Sequence, residues 1–161
     1  MMFSRSAEYA FSGLSELSIR PQDKPVMLAD LVTGTSMPRD FLAKVFGKLV
    51  TAGVLTSAKG RGGGYRLARP SHEITLAEIV GAIDGVHPSD SCVDGFAECH
   101  DLAPCPQHDL HKPIRQRLKD YLDTTTLADL AASLKAEQQC ALADGIEATA
   151  RRAPGGSAAA R

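Results

Sequence analysis

Ala7, Ala10, Phe11, Leu14 and Leu17 recur at the i, i+3, i+4, i+7 spacing of a helix with one buried face. The spacing predicts a helix over 5–18, with Ser4 or Ser6 placed to cap its first orphan N–H groups. "RPQDKP" (20–25) breaks the pattern, and "LADLVT" (28–33) predicts a short helix ended by Gly34. Phe41, Leu42, Val45, Phe46, Leu49 and Val50 then form an apolar stripe on a helix expected from about Met37 to Ala52. Ser36 is its expected cap, Pro38 falls in its first turn, and Gly53 is placed to end it in a left-handed residue.

The period changes after Gly53. "VLTS" (54–57) and "YRLA" (65–68) are strand-like, and the "AKGRGGG" between them predicts a hairpin loop. "EITLAEIVGAIDG" (73–85) returns to a helical period, with Ile74 or Leu76, Ile79, Val80 and Ile83 inward. Farther on, "HDLHKPIRQRLKDYLD" sets Leu110, Ile114, Leu118, Tyr121 and Leu122 on one stripe, and Pro113 is tolerable only near that helix's start. "TTTLADLAASL" predicts a short helix capped by a Thr, and the Ala- and Gly-rich tail from about 136 is expected to be poorly ordered towards its end.

Two short helices joined by a Gly-containing turn, the second with a small and basic outer face, have the form of a helix-turn-helix. The hairpin directly after them makes a wing. The expected fold is therefore mostly α: a winged helix-turn-helix with a short β-hairpin wing and a long C-terminal dimerisation helix. The expected organisation is a DNA-binding domain over 1–86, a cysteine-rich loop over 87–108, a dimerisation helix with a short C-terminal helix over 109–135, and a flexible tail over 136–161. Dimerisation is expected because one winged helix makes few phosphate contacts, whereas two engage a palindrome.

Charge supports a nucleic-acid partner. The net charge of −1 hides a split: residues 1–70 hold ten Lys/Arg against five Asp/Glu, and residues 71–161 hold eight against fourteen. Within 36–69 seven basic residues face Asp40 alone, which suggests a surface for a polyanion. At the helix start, Ser36, Arg39, Asp40 and Lys44 are expected to meet base edges, Arg39 donating to guanine and Asp40 accepting from a cytosine amino group. Lys48 and Arg66 are expected on phosphates; Lys59 and Arg61 fall at the wing tip, where Arg61 suits a narrow minor groove. The expected partner is double-stranded DNA.

Other classes find little footing. "KGRGGGY" lacks the GK[ST] of a phosphate loop, has Tyr65 at the third Gly of a dinucleotide fingerprint, and precedes a strand. With no Ser/His/Asp set and no HExxH helix, neither an enzyme nor a small-molecule substrate is expected. No apolar run approaches the about 18 residues of a membrane span. Serines and glutamates interrupt the N-terminal stretch where a signal peptide would be apolar, so the expected location is cytoplasmic.

There remains "SCVDGFAECHDLAPCPQH" (91–108), holding three of the four cysteines and two of the five histidines. Core cysteines need an apolar period that this segment lacks, and disulfides suit a cytoplasmic chain poorly. Three Cys and one His satisfy a structural zinc ion, although zinc knuckles usually bring two ligands together as C-x₂₋₄-C. The gaps here are six, five and two residues. An iron–sulfur cluster is larger, so a loop wrapping it can use wider gaps, and His can replace a Cys. Both metal readings stay open at this point, with Cys140 outside either site.

The stretch "SMPRDFLAKVFGKLVTAGVLTSAKGRGGGYRLARPSHEITLAEIVGAIDG" (36–85), followed by three cysteines and "TLADL" (126–130), resembles the BadM/Rrf2-type winged-helix regulators over roughly residues 2–135. The resemblance implies a homodimer with a long dimerisation helix and an iron–sulfur cluster near the dimer interface. It implies Cys92, Cys99 and Cys105 as cluster ligands, with His108 matching the His ligand of the IscR branch. The first cysteine gap is six residues where that branch has five, so the loop must bulge. Glu8 stands where the NsrR branch supplies a carboxylate from the partner's first helix, a second candidate for the fourth ligand. Two-iron and four-iron clusters are not distinguished. The expected function is transcriptional regulation in which the cluster, sensing iron, redox state or nitric oxide, switches operator binding. The alternative is a winged-helix regulator with structural zinc and no sensing role.

Overall fold

In the computed structural model, which describes residues 3–33, 37–60, 62–85 and 106–143, the first helix, α1 (Arg5–Ser18), starts where Ser4 Oγ accepts from the Ala7 N–H at 3.1 Å. It buries Ala7, Ala10, Leu14 and Leu17, the stripe its spacing predicts. The short α2 (Leu28–Val32) and α3 (Arg39–Thr51) follow. α3 begins two residues later than its stripe suggested, with Pro38 as the capping residue instead of in the first turn. The reason is local: a residue before proline is pushed to extended backbone, so Met37 cannot join the helix. Gly34 and Ser36, the expected stop and cap, lie outside the described residues.

At its other end α3 closes as expected on a left-handed Gly53 (φ 75). Val54 N–H donates to the Leu49 carbonyl and Gly53 N–H to that of Val50, which satisfies two orphan carbonyls. Val54's N–H is thereby occupied, and the first strand starts one residue on. β1 (Leu55–Ala58) pairs antiparallel with β2 (Gly64–Leu67), Leu55 opposite Leu67 and Ala58 opposite Gly64. A third backbone segment joins them: Val26 exchanges two 2.8 Å hydrogen bonds with Tyr65, tying the wing to the connection between α1 and α2.

Of the helix expected over 73–85, α4 takes Leu76–Asp84, while Glu73 belongs to a 3₁₀ turn (Ser71–Glu73) that precedes it. The later start comes from a reciprocal cap: Thr75 Oγ1 accepts from Glu78 N–H, and the Glu78 carboxylate accepts from Thr75 N–H. α5 (His108–Thr124) and α6 (Leu127–Ala143) complete the described chain. α6 outruns the short helix predicted for it and passes the boundary expected near 136. It packs along α1, where Gln138 donates to Glu16. Leu122 and Leu127 enter the same core as α1, α3 and α4, so the C-terminal helices share the core of the winged helix. The starts of α4 and α6 are joined directly, Leu76 N–H donating to Thr125 and Leu127 N–H to Ile74.

α6 begins with a second reciprocal cap, in which Asp129 accepts from both the N–H and the hydroxyl of Thr126. These bonds, the hydroxyl one foremost, hold the Asp129 carboxyl below the ordinary carboxylate range. A depressed folded-state pKa means that the folded chain binds fewer protons than the unfolded one. Its contribution is present above the ordinary range and is lost as pH falls through the depressed value. Asp129→Asn, which keeps the acceptor but not the charge, is expected to flatten the loss of urea stability below about pH 4. Parallel midpoint-against-pH curves for the two proteins would remove Asp129 as a contributor.

Candidate DNA-binding surface and cluster segment

α3 turns Leu42, Val45, Phe46 and Leu49 into the core and leaves Arg39, Asp40, Lys44 and Lys48 exposed. A period of 3.6 puts Asp40 and Lys44 on the line farthest from the core, with Lys48 on one flank. The wing adds Lys59, at the start of the hairpin loop, and Arg66, which points away from the core while its neighbour Tyr65 packs edge-on against Phe46 at 5.1 Å. Arg39, Lys44, Lys59 and Arg66 have no ionic or hydrogen-bonded side-chain partner among the described residues. Four exposed, uncommitted cations on one helix and its wing are suited to phosphate.

The other basic residues of this region are placed differently. Arg69 pairs with Glu78 at 2.7 Å, so its charge is spent beside the start of α4. Lys48 Nζ donates at 2.7 Å to the carbonyl of Ile83 in the last turn of α4. Neither engagement is written in the local sequence, because both partners lie on another helix. The T-x-x-E spacing of Thr75 and Glu78 was legible as a capping box and would have set the start of α4. Ser36 and Arg61 lie outside the described residues.

Cys92, Cys99 and Cys105 also lie outside the described residues; Gly85, which precedes their segment, and His108, which ends it, are described. The segment leaves from α4, whose Asp84 carboxylate accepts from Ser4 Oγ at 2.6 Å. It returns at α5, whose first residue is His108, 6% exposed. A buried polar side chain at the edge of a thiol-rich segment is a donor that is already desolvated, which suits a metal ligand. Glu8, in the first turn of α1, is half-buried.

α5 divides the stripe that the sequence drew as one. Leu122 is buried and Leu118 half-buried, whereas Leu110 is 70%, Ile114 63% and Tyr121 47% exposed. The outward part is an apolar face on a helix whose remaining surface is polar. Pro113 stands inside α5, beyond the first turn, where the expectation would have confined it.

A winged helix with uncommitted cations, flanked by a thiol segment ending in a buried histidine, can be compared with known proteins. The model of the Rrf2 family, described as iron-dependent transcriptional regulators, matches residues 3–133. The chain belongs to the Rrf2 family. The HTH-type transcriptional regulator IscR of Vibrio campbellii is 30% identical over 130 residues, covering 81% of this chain and 77% of that protein. Among solved structures, CymR, the global cysteine regulator of B. subtilis, is similar with a TM-score of 0.69 and 27% identity over 81% of this chain and 96% of that one. IscR of T. potens shares the fold, with a TM-score of 0.66 at 21% identity over 84% and 89% of the two chains. This Rrf2 protein is thus a transcriptional regulator and not an enzyme, with the winged helix-turn-helix fold its sequence predicted. No helix among its described residues is long and apolar enough to cross a membrane.

Proposed function

We propose that this Rrf2 regulator is a homodimer that binds a palindromic operator, and that an iron–sulfur cluster held by Cys92, Cys99, Cys105 and His108 switches that binding. The observation that carries the reading is the burial of His108 at the residue where the cysteine segment meets α5. Three thiols and an imidazole are a soft donor set that fits such a cluster. His108 is preferred to the partner's Glu8 because it belongs to the same segment and is the more buried of the two.

The DNA contacts follow from exposure and charge. α3 enters the major groove by its first turns, with Ser36, Arg39, Asp40 and Lys44 towards base edges. Lys59 and Arg66 hold phosphates, and Arg61 reaches the minor groove. The outward face of α5, from Leu110 through Ile114 to Tyr121, packs against the same face of a second copy. When bound, the cluster supplies a centre sensitive to iron supply, oxygen and nitric oxide. The chain's part is mechanical: α4 and α5 bracket the segment, so its ends are tied to the core that seats α3. Switching requires that the cluster interact differently with the DNA-competent and DNA-incompetent arrangements.

The test is anaerobic purification with iron, sulfide and zinc analysis, followed by operator binding of the wild type and a Cys92→Ala, Cys99→Ala, Cys105→Ala triple variant. The wild type is expected to hold matched iron and sulfide, the variant neither, and operator affinity to differ at least about fivefold between them. Unchanged affinity for every operator removes the cluster from the switch. A colourless wild type with stoichiometric zinc would keep the DNA-binding part and make the metal a scaffold.

A further inference from the structure

The basic residues of α3 look alike in sequence, but one of them does not face outward for DNA alone. Lys48 Nζ lies 2.7 Å from the carbonyl oxygen of Ile83. That carbonyl belongs to the last turn of α4, where backbone acceptors lack helical donors and the helix end carries partial negative charge. An ammonium there makes a charge-assisted hydrogen bond to the helix terminus. The next residue, Asp84, is held from the other side by Ser4 at the cap of α1. Gly85 then ends α4, and the chain continues into the segment of Cys92, Cys99 and Cys105. Lys48 is therefore a polar tie between the DNA-facing helix and the point from which the cysteine segment departs.

We infer that Lys48 is a positioning residue that couples the state of the cluster to the seating of α3 in the groove. The inference rests on the cluster-switch reading above. A shift of α4's last turn moves the Ile83 carbonyl, and α3 must either follow it or give up the bond. Lys44, one turn earlier with no partner among the described residues, has no such link and supplies the comparison. Hydrophobic contacts between α3 and α4 are non-directional, whereas a single directional bond at the end of α4 is sensitive to where that end sits.

The experiment measures operator affinity of the cluster-loaded and cluster-free full-length protein across a salt series, for the wild type, Lys48→Met, Lys48→Arg and Lys44→Ala. Lys48→Met is expected to lower the affinity ratio between the two forms by about fivefold, in the range of couplings altered by single residues, with an unchanged salt slope. Lys48→Arg, which can still donate to Ile83, is expected to restore the ratio. Lys44→Ala is expected to weaken both forms alike and to leave their ratio unchanged. If Lys48→Met behaves as Lys44→Ala does, Lys48 is a DNA contact only and the inference is overturned. A wild-type ratio well above one that Lys48→Met leaves intact overturns it as well, while sparing the switch. A wild-type ratio of one removes the switch itself and the coupling with it.

Discussion

Gly64→Ala is expected to destabilise the protein by about 3 kcal/mol or more and to abolish operator binding with it. A Cβ at residue 64 would collide with the carbonyl oxygen of Val26, a backbone atom that cannot rotate away. Its φ of 152 adds a conformation that side chains rarely adopt. The contact can be relieved only by parting β2 from Val26, which breaks the two 2.8 Å hydrogen bonds between Val26 and Tyr65. Those bonds set the wing's angle to the helical core, so the damage extends to the surface that carries Arg66. Gly62 is the control: it too has a positive φ (76), but among the described residues no atom outside its immediate neighbours lies within 4 Å of an added Cβ. Gly62→Ala is expected to cost only about 1 kcal/mol. Urea unfolding at one fixed protein concentration measures both, and equal losses would show that the Val26 contact does not matter.

Phe46→Ala is expected to cost about 4 kcal/mol and to lower Tm by roughly 10 °C. Phe46 is fully buried, meets Tyr65 edge-on, and lies against Gly13, where an added Cβ would come within 3.0 Å of its ring. It thus joins α1, α3 and the wing, and its removal leaves a cavity that three elements must collapse to fill. Phe46→Leu, which keeps most of the volume, is expected to lose less than half as much. Thermal unfolding of the two variants side by side decides the matter. An alanine variant within about 1 kcal/mol of the wild type would mean that the surroundings close over the site freely.

The helices that could be read in advance are those whose apolar residues face one core. α1 and α3 have such stripes, and Gly53 stands where a left-handed stop is needed, so their placement followed from local chemistry. The errors lie at the ends. Pro38 acts on the residue before it, Val54 is held by the close of α3, and Thr75 with Glu78 starts α4 late. Each is a hydrogen-bond or steric effect of one or two residues, invisible to a period taken over a dozen. α6 ran long because its outer half is rich in Ala and polar residues, a composition as good for a helix as for a loose tail.

The wing was likewise legible, as a glycine-rich hairpin after a basic helix. The metal-binding reading of three thiols and an imidazole belongs to the proposal above. Periodicity grouped Leu110, Ile114, Leu118, Tyr121 and Leu122 as one stripe, but the packing of α5 on α4 drew Leu122 inside and left Leu110 and Ile114 out. Lys44 and Lys48 are the same residue one helical turn apart; the first has no partner among the described residues and the second is bonded to a carbonyl thirty-five positions away in the chain. Local propensity, charge and ligand chemistry reside in residue types and short spacings, and these can be read along a line. Which side chains are engaged, which apolar faces stay open and which helix ends touch depend on non-local contacts, and those exist only once the chain has closed on itself.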